Sequence, residues 1–299
     1  MSRNIYTRRI LLRITLIVLL VSFITSCASS TGRLTKNKTF TFVQLCDPQL
    51  GMGGYEHDVN SFKQAVKQIN DLQPDFVLIC GDLVHKPDEK SFADFNKINA
   101  GFTVPCYCAP GNHDVGSEHT LQYYRKAVDK DYYSFEHKGY AFVVVNTQLW
   151  KAPFEGESEK QDKWLKTTLE TISKKKQPVF IVGHHPLFLK NPTEDEKYFN
   201  LPLETRKELL NLFEKHNVVA VLGGHTHKLI INDYKGIQFV NAETTSKNFD
   251  KRPMGFRVWN ISTKRPFEHT FVPLENFDVP EYESEQGKLK VSCRREPNQ

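Results

Sequence analysis

The sequence predicts an α/β fold, and three observations carry that prediction. From residue 40 to residue 227, short apolar runs alternate with segments whose apolar residues recur at helical spacing, the pattern of sheets covered on their outer faces by helices. Beyond residue 227 the helical spacing stops and strand-like runs follow one another across short turns, which predicts a further, largely antiparallel set of strands. The bulk composition agrees: 299 residues, 39% apolar and 25% charged, suffice for one large globular domain or two small ones.

The first residues stand apart from that rhythm. Arg3, Arg8, Arg9 and Arg13 precede an apolar run, Ile14 to Ile24, that is too short to span a bilayer comfortably, so residues 1–27 have the layout of a signal peptide. The run ends Ile24-Thr25-Ser26-Cys27, which resembles the lipobox of bacterial lipoproteins, where the cysteine is lipidated and becomes the first mature residue. A plain signal peptide or short anchor with a chance cysteine is the simpler alternative, and the Arg8-Arg9 pair also resembles a twin-arginine signal. The expectation is an exported bacterial lipoprotein, held to a membrane through Cys27 on its periplasmic or outer-membrane face. Residues 28–37, rich in Ser, Thr, Gly, Lys and Asn, read as a tether, 38–278 as the folded domain and 279–299 as a flexible polar tail.

The leader carries four of the 40 Lys and Arg and none of the 35 acids, which leaves 36 basic residues against 35 acidic ones. The formal charge of +5 therefore belongs largely to the leader, and no nucleic-acid partner is expected. Lys174-Lys175-Lys176 reads as a solvated helix end. Of the six cysteines, five remain if Cys27 is lipidated, an odd number without zinc spacing, so neither a cysteine-held zinc site nor a disulfide scaffold is expected. Cys46 and Cys80 lie in apolar runs where cysteine acts as a small hydrophobe, and Cys106 and Cys108 alternate onto one face of a strand.

Each element follows from its own pattern. Residues 40–46 are an apolar run, and Phe62, Val66, Ile69 and Leu72 then recur at helical spacing within 58–72. Residues 74–82 form a short buried strand, 91–98 a helix, 104–114 a third strand with its exit loop, and 119–127 a Tyr-rich helix. Residues 140–148 are strand-like and 160–172 amphipathic; 178–186 is a strand, 204–216 a helix and 218–227 another strand. The closing runs, 228–234, 237–243, 256–262 and 267–274, read as strands separated by turns that include Gly236 and Pro266.

The endings of the strands carry the chemistry. The first stops at Asp47, Pro48 and Gln49; the second at Gly81-Asp82; the third at Gly111 followed by Asn112, His113 and Asp114. A later strand ends at Gly183 with His184, His185 and Pro186, and another at Gly223-Gly224 with His225 and His227. Carboxylates, imidazoles and amide oxygens without thiolates suit divalent ions such as Mn, Fe and Zn. Ligands of open α/β sheets collect outside the carboxyl ends of the strands, so side-by-side strands would bring these groups to one rim.

In this order the endings resemble the calcineurin-like metallophosphoesterase superfamily. Its motifs D-x-H, GD, GNH[D/E], H before Pro and GHxH stand here as Asp47-Pro48-Gln49, Gly81-Asp82, Gly111-Asn112-His113-Asp114, His184-His185-Pro186 and Gly224-His225-Thr226-His227. The likeness spans about residues 40–275, and the runs at 47–51, 81–85 and 146–150 are similar to the subgroup around the vertebrate calcineurin-like phosphoesterase domain-containing protein 1. The resemblance implies a two-sheet β-sandwich flanked by helices, with antiparallel C-terminal strands. It also implies a phosphoesterase that activates water with two divalent metal ions, Mn, Fe, Mg or Zn.

Carried over position by position, Asp82 would bridge the metals. Asp47, Gln49 and His227 would complete one site, and Asn112, His184 and His225 the other. His113 would be the acid or the phosphate-facing donor, oriented by Asp114, and His185 falls beside the motif as a packing residue. Gln49 departs from the common histidine and should hold Zn less well than Mn, Fe or Mg. The implied substrate is a phosphate ester, either a phosphoprotein-like or small phosphomonoester or, alternatively, a diester of nucleotides or lipid headgroups. A catalytically weak lipid-anchored binding protein on the same scaffold is a further alternative. The loops at 51–58, after Trp150 and between Pro186 and Leu203 are expected to shape the pocket. Trp150 and Tyr55 are rings that could stack on substrate, although packing is their commoner role.

Overall fold

The structure, a computed structural model, describes residues 39–262 and 265–277. The leader, Cys27, the tether, Cys293 and the tail beyond residue 277 lie outside the described residues. Among those residues, no helix is long and apolar enough to cross a membrane.

The strands are β1 (Phe40–Leu45), β2 (Phe76–Cys80), β3 (Cys106–Ala109), β4 (Tyr133–His137), β5 (Tyr140–Val144), β6 (Val179–Val182), β7 (Val218–Gly223), β8 (Ile230–Tyr234), β9 (Ile237–Asn241), β10 (Gly255–Ile261) and β11 (Glu268–Pro273). The helices are α1 (Tyr55–Leu72), α2 (Glu89–Asn99), α3 (Glu118–Ala127), α4 (Gln148–Lys151), α5 (Glu157–Lys174) and α6 (Leu203–Lys215). One sheet has the order β11-β10-β1-β2-β3 and the other β4-β5-β6-β7-β9-β8. The runs β1-β2-β3 and β5-β6-β7-β9 are parallel, so their carboxyl ends emerge on the same edge of each sheet.

Period-two alternation builds three apolar layers from these strands. Phe40 and Phe42 of β1 face a central cluster with Phe142 and Val144 of β5, Phe180 and Val182 of β6, and Trp259 of β10. Val43 and Leu45 point the other way, into a layer with Phe62 and Ile69 of α1 and Phe92 and Phe95 of α2. Ala141, Val143 and Ile181 pack likewise with Leu165 and Leu169 of α5 and Phe213 of α6. The central layer is aromatic: the Phe42 ring stacks on Phe76 at 5.3 Å and meets Phe142 and Phe180 edge-on at 5.6 and 5.7 Å. Such pairs add about 0.5–1.5 kcal/mol each beyond the area they bury.

The predicted two-sheet sandwich is therefore present, with three local differences. The edge strand β4 pairs antiparallel with β5; Tyr133, Phe135 and His137 alternate with exposed Ser134 and Glu136, a five-residue pattern too short to have stood out in the sequence. The run 140–148 leaves the strand at Val144 and turns into the short α4. The closing strands do not form a set of their own: β8 and β9 extend the second sheet, with β9 parallel to β7, whereas β10 and β11 complete the first, with β10 antiparallel to β1. Turn residues mark hairpins locally, but the sheet a hairpin joins is decided by long-range pairing.

Candidate metal centre

Asp47 and Gln49 follow β1, Asp82 follows β2, and Asn112, His113 and Asp114 follow β3; His184 and His185 follow β6, and His225 and His227 follow β7. All these exits lie at the carboxyl ends of parallel strands, and they meet. Donor atoms of Asp82, His184 and His225 lie within 4.8 Å of one another, as do those of Asp47, Asp82 and His227. The two groups share Asp82, and every member is buried.

The backbone is bent to make this meeting possible. Asp47 (φ 49°), Gln49 (34°), Asp82 (49°), His225 (69°) and His227 (50°) are all left-handed. That region costs an L residue about 1–2 kcal/mol, and such strain concentrates at functional sites. Close packing adds a second demand: a Cβ on Gly111 would run into the Asp82 carboxylate, and one on Gly224 into that of Asp47.

Hydrogen bonds set the histidine tautomers. His184 Nδ1 is 2.9 Å from the Cys80 carbonyl and His227 Nδ1 is 2.7 Å from the Lys247 carbonyl, so each Nδ1 carries the proton and donates it. His184 Nε2 is left as an acceptor, yet it sits 3.1 Å from Asn112 Oδ1 and 3.3 Å from Asp82 Oδ2. His227 Nε2 likewise faces Asp47 Oδ1 at 3.6 Å. Converging acceptors need a cation or a proton between them. His225 Nε2 and Gln49 Oε1 are, in addition, buried without a partner. The donor set, its tautomers and these orphaned atoms fit a pair of divalent cations.

The electrostatics follow from burial and crowding. Burial would raise Asp82, but the neighbouring His184, His113 and His225 outweigh it and hold its carboxyl well below the usual range. Asp47 is pushed up by burial to about 6, against the pull of His227 and His184. Burial would lower His184, but the Asp82 carboxylate prevails and raises it to about 10; a cation between the two would take over that attraction. Burial, then the charge of His184, pushes His225 down to about 3, which keeps its imidazole neutral and available as a ligand.

The remaining candidates sort differently. His113 donates its backbone N–H to Asp82 Oδ1 at 2.9 Å, and its ring Nδ1 is 3.1 Å from the His85 carbonyl. Asp114 does not orient that ring. Its carboxylate turns onto the backbone instead, accepting from Gly111 N at 2.8 Å, Leu83 N at 3.0 and 3.1 Å and Val84 N at 3.1 Å. Three amides aimed at one buried point outcompete a single imidazole, so Asp114 ties the β2 exit to the β3 exit. Gln49 presents Nε2 to Asp82 Oδ2 at 3.3 Å, and a half-turn of its amide exchanges nitrogen for oxygen. His185 packs beside His225 with ring centres 4.3 Å apart and Nδ1 3.0 Å from Thr147 Oγ1.

Trp150 is buried with Nε1 donating to Asp162, and Tyr55 donates to Asp94 beneath Lys90, so both serve packing. Sequence reasoning missed Thr147, whose hydroxyl also accepts from His184 N and His185 N, and Thr244, whose hydroxyl donates to the Asp47 carbonyl at 2.7 Å. It also missed Asp58, a buried carboxylate that accepts from Gly51 N, Gly53 N and Ser246 Oγ and so pins the loop after Asp47. The glycine-rich run 51–54 just before that acid was the available signal.

Comparison with known proteins agrees with this geometry. A family model described as calcineurin-like phosphoesterase matches residues 40–229. The serine/threonine-protein phosphatase CPPED1 of Danio rerio is 30% identical over 281 residues, covering 84% of this chain and 90% of that protein. The CPPED1 of Homo sapiens is 29% identical over 265 residues, covering 79% and 84%. Among solved structures, a dimetal phosphatase from Danio rerio superposes with a TM-score of 0.58 at 16% identity, covering 79% of this chain and 99% of that one, a likeness of fold.

Proposed function

The chain belongs to the calcineurin-like phosphoesterase family and is a phosphoesterase that uses two divalent cations; we propose that it hydrolyses phosphate monoesters, with Asp82 shared between the cations. One observation carries the reading: a single buried carboxylate belongs to both ligand groups. Asp47, Gln49 and His227 would complete one site, and Asn112, His184 and His225 the other. The similar CPPED1 proteins, named as serine/threonine phosphatases, favour the monoester.

When bound, the cations supply positive charge against the phosphoryl oxygens and lower the pKa of a water. The chain supplies the rest. Asp82 is fixed by the His113 backbone N–H, and Asp47 by the His225 N–H at 3.0 Å, so both carboxylates are oriented before substrate arrives. Hydrolysis forms a bond from water oxygen to phosphorus and breaks the ester bond, and the leaving oxygen takes up a proton. With Nδ1 donating to the His85 carbonyl, the doubly protonated His113 ring would hold its second proton at Nε2 and give it to the leaving oxygen there. General acid help of this kind is worth about 10²–10⁴ in rate.

The test is phosphate release from monoesters, diesters and phosphopeptides with Mn²⁺, Fe²⁺, Mg²⁺ or Zn²⁺. Monoesters should be cleaved fastest, and preference for a diester overturns the substrate assignment. Asp82→Asn should abolish turnover; normal turnover after that change overturns the shared-carboxylate reading. His113→Ala should slow alkyl esters far more than a nitrophenyl ester, and equal losses would remove the acid role.

We also propose that Cys27 is lipidated and tethers the enzyme to a membrane on the far side of export. The supporting features are the four arginines, the apolar run 14–24 and the Ile24-Thr25-Ser26-Cys27 ending. Palmitate labelling lost in Cys27→Ser would support the anchor, and labelling that persists would refute it.

A further inference from the structure

Two aromatic side chains at the metal centre are exposed where aromatic residues are ordinarily buried. Phe249 is 49% exposed, yet one face of its ring is covered by His227, stacked at 4.5 Å and 6°. Its open area must therefore lie on the opposite face and the edges, away from the ligand. Tyr198 is 64% exposed and leans on His225, with ring centres 5.3 Å apart. The half-buried Phe199 touches both Tyr198, at 5.0 Å, and His225, at 5.3 Å. Each of the two GHTH histidines thus carries an exposed ring on its outer side.

Both rings sit on loops that are held firmly. Lys151 Nζ donates to the carbonyls of Lys197 at 2.7 Å and Asn200 at 2.9 Å, on either side of Tyr198. The buried Arg206 grips the same loop through the carbonyls of Pro192, Glu194 and Leu201. Phe249 N donates to the His227 carbonyl at 3.0 Å, and Asn248 bonds the carbonyls of Arg252 and Pro253. Both rings keep an outer face open while the inner face rests on a histidine. These are presented to solvent on braced backbone, which lowers the ordering cost of binding.

We propose that Phe249 and Tyr198 form an aromatic rim that receives a planar ring carried by the substrate's leaving group, making them specificity-determining residues. The inference rests on the phosphomonoesterase reading and deepens it: the preferred ester bears an aromatic ring close to its phosphate. A planar ring covers more of these apolar faces than a glycerol or sugar group does, and adds the ring–ring attraction. Two sources offer that chemistry, an aryl phosphate with its ring on the ester oxygen and a nucleotide with its base one sugar away.

The experiment uses the full-length protein loaded with Mn²⁺. kcat/KM is measured for phenyl phosphate against glycerol 3-phosphate, and for adenosine 5′-monophosphate against ribose 5-phosphate, in wild type, Phe249→Ala, Phe249→Tyr and Tyr198→Ala. The intrinsic lability of each ester cancels when a variant's ratio is divided by that of wild type. At least one ratio should fall about three- to tenfold in both alanine variants, the size of one lost ring–ring contact, and Phe249→Tyr should restore it. The pair that responds identifies the source. Ratios that stay within twofold in both alanine variants overturn the proposal, and Tyr198→Ala, whose side chain is mostly in solvent, keeps that outcome readable if Phe249→Ala folds poorly.

Calorimetry with phenylphosphonate and methylphosphonate gives an arm that needs no turnover. If no ester is cleaved but phenylphosphonate still loses its advantage in both alanine variants, the hydrolase reading falls and the rim stands. If esters are cleaved and phenylphosphonate has no advantage to lose, the rim falls and the hydrolase reading stands.

Discussion

Replacing Asp114 by Asn separates a structural role from a catalytic one. The carboxylate takes bonds from three buried amides, those of Gly111, Leu83 and Val84. Asn offers one oxygen and one NH₂, so at least one N–H would face another donor. An unpaired buried donor costs about 1–3 kcal/mol, and the bonds that survive lose the strength an ionised acceptor gives them, about 0.5–1.5 kcal/mol between them. One gain opposes this: burial, then the Asp82 charge, raises Asp114 to about 8, and a neutral amide escapes that penalty.

Cations on Asp82 would cancel the second of those causes, so in the metal-loaded protein the loss should dominate at about 2–3 kcal/mol. For a domain of this size that is a fall in melting temperature of roughly 4–12 °C. Asp114→Ala orphans three donors and should fall further. Scanning calorimetry of the Mn²⁺-loaded variants reads the shift, and a pH–rate profile on an alkyl phosphate reads the catalysis. The profile should keep the shape of wild type at lower amplitude, because His113 is oriented by the His85 carbonyl. A variant as stable as wild type that has lost one limb of the profile would refute this reasoning and restore Asp114 as the partner of His113.

Gly224→Ala should cost about 1–3 kcal/mol and weaken Mn²⁺ binding, because its Cβ meets the Asp47 carboxylate and stands 3.0 Å from the Cys80 carbonyl; unchanged calorimetric affinity would count against the tight approach. Asp47 lies at about 6 instead of 3.8, so the metal-free fold holds a proton that the unfolded chain has shed between those values, and this group's contribution to stability falls as pH rises through that window. Cation binding at Asp47 must displace the same proton below pH 6, so Mn²⁺ affinity should weaken by up to about tenfold per pH unit there, and a flat affinity from pH 5 to 7 would contradict it. Gln49→His should tighten Zn²⁺ binding, since imidazole replaces a neutral amide, and a calorimetric titration matching wild type would remove Gln49 from the site.

The parts of the fold legible in the sequence are those written in local periodicity. Helices α1, α5 and α6 show their apolar stripes; β2, β6 and β7 are continuous apolar runs because both faces are buried, and β1 is interrupted only by Thr41 and Gln44. The edge strand β4 was missed although Tyr133, Phe135 and His137 alternate with exposed Ser134 and Glu136, because five residues with two apolar rings make a short pattern beside the continuous runs of the buried strands. The pairing of β9 with β7 and of β10 with β1 was also out of reach, because no local signal encodes which sheet a hairpin joins. The site shows the same division. Its strand-end acids, amides and histidines were all readable, whereas the residues that fix them came from distant segments. Thr244 holds the Asp47 carbonyl across 197 positions, and Ser246 meets Asp58 across 188.

The strain at the centre explains why the ligands sit where they do. Five left-handed residues among the strand exits represent about 5–10 kcal/mol at the usual penalty, comparable with the net stability of a whole domain. Such a load is tolerable only where neighbouring structure over-determines the backbone. Each strained residue lies within four positions of the end of a strand anchored in two apolar layers, which limits how far the backbone can relax without disturbing that strand. Asp82 shows the logic: β2 is buried throughout, Gly81 turns the chain, and the Asp82 carboxylate is then held by the His113 backbone N–H. A loop without a buried strand behind it would relieve the strain by moving, and the acceptors around His184 Nε2 would drift apart. The aromatic core between the sheets is thus part of the metal site's mechanics, since it holds converging acceptors within reach of a cation before one arrives.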